Sequence, residues 1–266
     1  MILRRVIEHV KAQNWTAIAI DFVIVVMGVF IGIQVANWNA ARADRVSERH
    51  YLAQLREDLK LIEAEVRDQI EFEQFQSRLA GDIADEMEKP GAEAEKKVRM
   101  GLAQLTVRRT LKAESPTFAD LQSSGKLEII SDPALRAAII TCFFRTGRLE
   151  AALDKNNQFF VDQGFFTFVR DEGLRDYVWD DALMGASLPA SLAFAGDASA
   201  ASLARLESAG AAKHVLDTPD MREKVIAQLS WRAAGSSGNE KHATRILEAV
   251  QALETTLAAH MDGKAP

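Results

Sequence analysis

The chain has 266 residues, 48% of them apolar and 26% charged, with a formal net charge of −6 and a single cysteine, Cys142. That composition excludes an intrinsically disordered polymer and an intramolecular disulfide. It also argues against a nucleic-acid binder, which carries a basic face. Six prolines and fifteen glycines are few for this length, so long helices are expected.

In chain order, residues 1–15 form a short basic segment, MILRRVIEHVKAQN and Trp15. Ile2, Val6 and Val10 fall on one helical face, so the segment suits the membrane interface or the cytoplasm. Thr16 to Val35 follows, an apolar run in which only Asp21 is charged. Its length matches the ~20 residues that cross a hydrocarbon core of roughly 30 Å. A transmembrane helix is expected over residues 16–38, with Trp15 and Trp38 as interface anchors. The rival reading is a cleaved signal peptide. That run would be shorter, and Trp38 and Asn39 stand where small residues are wanted.

Arg4, Arg5 and Lys11 precede the span, and Arg42, Arg45, Arg49 and Arg56 follow it. The count of basic residues therefore does not decide orientation. A short tail before the span and a long soluble region after it favour a cytoplasmic N-terminus and a periplasmic domain. Within the span, Ala17, Asp21, Gly28 and Gly32 share one helical face. The GxxxG pair would let a second membrane helix, from another copy or a partner, approach closely.

Residues 39–266 read as a helical soluble domain. Leu52, Leu55, Leu59, Ile62, Val66 and Ile70, then Leu79, Ile83 and Met87, trace one stripe. No breaker separates it from the span, and Pro90-Gly91 ends it. A second helix is expected from Ala92 to about Thr110, with Val98, Leu102 and Leu105 inward. Ser115-Pro116 and Asp132-Pro133 read as N-cap plus first-turn proline, and Gly125 as a left-handed stop. The helix from Pro133 is expected to run to about Glu172, ending at Gly173, with Leu135, Ile139, Cys142, Thr146, Leu149 and Leu153 on one face. Phenylalanines crowd residues 143–168, as a helix-crossing core or as the lining of a pocket. Tyr177 and Trp179 are packing anchors, and residues 185–212 form an Ala/Ser/Gly-rich insert. Thr218-Pro219 starts a last helix, expected to run unbroken but weakened through Gly235-Ser-Ser-Gly238.

Two stretches, RRVIEHVKAQNWTAIAIDFVIVVMGVFIGIQVANWNAAR and TFADLQSSGKLEIISDPALRAAI, resemble an uncharacterised family of bacterial single-pass membrane proteins. The resemblance implies an inner-membrane anchor with an all-helical soluble domain. It implies no activity and no catalytic residues.

The chain holds no nucleophile elbow, phosphate loop or dinucleotide fingerprint. His9, His50, His214, His242 and His260 are scattered, without metal-ligand spacing. Cys142 lies on an apolar face, as a buried structural thiol would. No catalytic, cofactor or metal site is therefore expected. The reading is an all-α, membrane-anchored interaction or scaffold protein. The alternative is an extracytoplasmic sensor-like domain that binds a small ligand near the phenylalanines and acts through a partner.

Overall fold

The structure, a computed structural model, describes residues 15–174 and 218–263. The basic N-terminal segment, Tyr177 and Trp179, and the Ala/Ser/Gly-rich insert lie outside the described residues. So do the side chains of Trp15, Ala17 and Asp21.

The described residues are helical, with no strand among them. Helix α1 (Trp15–Glu86) is followed by α2 (Ala92–Leu105), α3 (Pro116–Ser123) and a 3-10 turn (Lys126–Ile129). Then come α4 (Pro133–Asn156), a π-helical segment (Asn157–Phe166), α5 (Thr167–Asp171) and α6 (Pro219–Gly263).

Helix α1 has 72 residues, about 110 Å at 1.5 Å per residue. It is the one described helix long and apolar enough to cross a membrane, and none of its most apolar window is buried. From Phe22 onward every side chain stays exposed through Val46. Residues 36–46 thus form a bare helical stalk of about 16 Å before Glu48 becomes the first buried side chain.

From there α1 and α6 run antiparallel. Gln251 Nε2 donates to Glu63 at 2.7 Å, Asn239 Nδ2 to Glu73 at 3.2 Å and Gln74 Nε2 to Glu240 at 2.8 Å. Leu52, Leu55, Leu59, Ile62 and Val66 bury against Ala243, Ile246, Val250, Leu253 and Leu257, with Leu135, Ile139 and Leu153 of α4 closing the cluster. A second cluster, farther from the stalk, joins Ile83 and Met87 to Leu102 and Leu105 of α2, Phe165 and Val169, and Val225 and Leu229 of α6.

The punctuation of the middle segment is matched in the backbone. Ser115 Oγ accepts from Phe118 N at 3.0 Å, and Asp132 Oδ1 accepts from Ala134 N at 2.8 Å. Gly125 and Gly173 adopt φ of 69° and 65°, which only glycine takes without strain. Helix α1 adds a second layer of capping. Asp58 Oδ2 accepts from Ser115 Oγ at 2.6 Å and Thr117 N at 3.0 Å. Glu48 Oε1 accepts from Ser131 N and Oγ, both at 2.8 Å. These acidic side chains meet the positive ends of α3 and α4 and fasten the 115–132 block to α1. Asp58→Ala should therefore cost about 1–2 kcal/mol. Urea denaturation of the full chain measures it, and an unchanged midpoint would disprove the cap.

Two boundaries differ from the periodicity. Helix α2 stops at Leu105, five residues short of Thr110, and beyond its last turn the carbonyls of Val107 and Arg109 accept from side chains of distant segments. The helix from Pro133 changes type at Asn157: ten residues are π-helical before α5 resumes.

Candidate functional site

Between the two apolar clusters lies a layer of buried polar side chains. Gln69 and Glu73 are 1% exposed and Gln76 is fully buried on α1. Arg232 and Asn239 on α6, and Asn157 at the start of the π segment, are also 1% exposed. Ser236 is fully buried.

Arg232 sits at the centre. Its Nε donates to Leu105 O at 2.8 Å and one terminal nitrogen to Val107 O at 3.1 Å. The other terminal nitrogen donates to Ser236 Oγ. The carbonyls at the end of α2 would otherwise be orphaned in the core. Gln69 Nε2 donates to Glu73 Oε1 at 2.8 Å. Asn239 Nδ2 donates to that oxygen and, at 2.9 Å, to Asn157 Oδ1. Asn157 Nδ2 donates to Arg109 O at 2.8 Å. One network thus ties α1, α6, the π segment and the α2–α3 connection together.

Burial pushes the Glu73 carboxyl above its ordinary range, against the opposing pull of Arg232, Ser236, Asn239 and Gln69. Burial pushes the Arg232 guanidinium down to about 10, opposed by Glu73. Glu73 therefore holds its proton more tightly in the folded chain than in the unfolded one. Stability falls as pH rises from near 4.5, the ordinary value, through the folded value, and levels above it. The wild type should accordingly lose stability relative to Glu73→Gln over that window. Denaturation midpoints of both proteins across the pH series measure this, and the opposite slope would show that Arg232 outweighs burial.

The phenylalanine-rich segment divides between core and surface. Phe165 is fully buried and Phe159 is 51% exposed. Phe160 lies 4.7 Å from the Trp231 ring centroid and Phe159 lies 5.4 Å from it. Trp231 is 39% exposed. Beside it an open depression of about 370 Å³ is lined by Phe159, Gln163, Gly164, Gln228 and Trp231.

The segment 235–238 lies within one continuous helix, Pro219–Gly263. Gly235 faces Phe160: a Cβ there would stand 2.7 Å from Phe160 Cβ and 2.9 Å from its Cγ. Reciprocally, a Cβ on Gly164 would stand 2.7 Å from Trp231 Nε1. The two glycines let α6 and the π segment approach closely.

Of the residues singled out in the apolar N-terminal part of α1, Gly28 and Gly32 have open space around them, and Trp38 is 60% exposed. From Gly32 to Leu52 is about five and a half turns at 3.6 residues each. The glycine face therefore lies on the side of α1 opposite the core. Among the described residues nothing stands against it, and it is not brought together with the polar layer.

Cys142 is buried, with its Sγ 3.5 Å from Ala249 O and its thiol pushed up by burial. Among the described residues no three His, Cys, Asp or Glu side chains gather as a metal site. Glu73 and Arg232 are each 1% exposed, and the layer's hydrogen bonds run between helices of the bundle. Sequence periodicity passed over it, although it left a trace. The α1 stripe lapses between Ile70 and Leu79, where Glu73 and Gln76 take the inward positions. Comparison with protein families, curated proteins and solved structures gives no match.

Proposed function

We propose that the protein is a non-catalytic, membrane-anchored helical scaffold of the bacterial inner membrane. In this reading the N-terminus is cytoplasmic and the helical body periplasmic. The observation that carries it is the unbroken course of α1: an exposed apolar stretch from Phe22, a bare stalk, then the core of the bundle. A helix without a flexible joint holds the body at a set distance and angle from the bilayer. The likeness to bacterial single-pass proteins points the same way. The free Gly28/Gly32 face would take a membrane helix of another copy or a partner.

Full-length protein should resist alkaline carbonate extraction, and loss of residues 16–38 should release it. Extraction of the intact chain would end the anchor reading. A reporter fused after residue 60 should be active in the periplasm, and activity only in the cytoplasm would reverse the orientation. Partners co-purified in detergent should depend on the glycines, tested with a Gly28→Leu/Gly32→Leu variant.

The depression beside Phe159 and Trp231 favours a second reading, a sensor-like domain for a small apolar ligand. Quenching of Trp231 fluorescence by a ligand library, lost in Gly164→Leu, would support it over the scaffold.

A further inference from the structure

Helix α4 has two apolar faces. Leu135, Ile139, Cys142 and Leu153 belong to the core. The opposite face carries Ala137, Ile140, Phe144, Gly147 and Ala151, and all five are exposed. Ile140 is 41% and Phe144 69% exposed. Their spacing of 3 and 4 in alternation is that of a coiled-coil seam, about 21 Å long. Nothing lies within 4 Å of a Cβ built on Gly147, so the seam has a notch one turn from Phe144. Single exposed apolar residues need no explanation, whereas five in heptad register form a continuous surface for another helix.

The edges of the seam are positively charged. Arg145, Arg148 and Lys155 stand along one edge and Arg136 on the other, with none in an ion pair among the described residues. The acidic residues nearby are engaged: Glu150 accepts from Ala113 N at 2.5 Å, and Asp154 pairs with Lys112 at 3.4 Å. In a chain of net charge −6, this face is framed by free cations. A second copy of α4 would set four more cations against these four, which disfavours self-pairing.

We propose that the outer face of α4 docks an amphipathic helix of another protein, with apolar a and d positions and Asp or Glu along its edges. The proposal deepens the scaffold reading by naming the partner's chemistry, and it does not depend on the anchor.

The test uses full-length protein in nanodiscs of neutral lipid. The probe is a fluorescein-labelled three-heptad peptide with Leu at a and d and Glu at e and g, compared with its Lys-edged counterpart. The Glu-edged peptide should bind and the Lys-edged one should not. Phe144→Glu should weaken binding at least about tenfold. Arg148→Glu/Lys155→Glu should reverse the preference between the peptides. These positions are exposed, so folding should persist, as circular dichroism of each variant will show. Equal binding of both peptides, or indifference to Phe144→Glu, would overturn the proposal. A Phe144→Cys variant in a Cys142→Ala background should react with maleimide when no peptide is present. Protection there would mean that a second copy or another part of the chain already covers the face, and would overturn it as well. Flotation of the same preparation reports the anchor separately.

Discussion

Arg232→Met is expected to cost about 3–5 kcal/mol of folding stability, because it leaves several buried or half-buried polar groups without the donors that Arg232 supplies. Three losses coincide. Leu105 O, in the core, loses the donor that satisfies it, a penalty of about 1–3 kcal/mol, and the half-buried Val107 O loses its donor as well. Ser236 loses its guanidinium partner. Glu73 is left buried without the positive charge that opposes its desolvation. Glu73→Gln should cost far less, because the amide oxygen still accepts from Gln69 and Asn239 and burial already disfavours the carboxylate. The two positions share one network, so the double variant should fall short of the sum by about 0.5–3 kcal/mol. Urea denaturation of the four proteins completes the cycle. Strict additivity would mean that Arg232 and Glu73 do not communicate, and the polar layer would then be two separate features.

Gly235→Ala and Gly147→Ala should move stability in opposite directions, although both replace a mid-helix glycine. Alanine is favoured over glycine in a helix interior by about 1 kcal/mol, and this gain is common to the two. At Gly147 nothing stands within 4 Å of the new methyl, so the gain should appear undiminished. At Gly235 the methyl meets the root of the Phe160 side chain, at 2.7 Å from Cβ. That atom cannot swing aside as the end of a long side chain would. Separating α6 from the π segment should cost about 1–3 kcal/mol and outweigh the propensity gain. Gly101→Ala is the intermediate case: the contact at 2.6 Å is with Ile83 Cδ1 and Cγ1, and rotation of that side chain relieves it. Thermal denaturation ranks the three. A stabilised Gly235→Ala protein would show that the crossing has slack.

The helical class, the long apolar run at the N-terminus and most helix starts and stops are legible in the residues alone. These signals are local. Proline and serine at Ser115-Pro116 act within one turn, and glycine at 125 and 173 acts through its own φ. The apolar stripes of α1 and α4 repeat at the period of the helix that carries them, so inward faces could be read without knowing what they face. Assembly of the bundle governs everything that depends on two distant segments arriving at one place. Arg232 is buried because the end of α2 presents carbonyls to it, and no local rule places a guanidinium opposite Leu105. The run 235–238 reads as a weak point in sequence, whereas packing makes Gly235 the site of closest approach to Phe160. The same holds for the face of α4 that stays open. Periodicity identifies its inner stripe, but only the assembled bundle shows that Ile140 and Phe144 remain uncovered, because α6 and α3 occupy the other side.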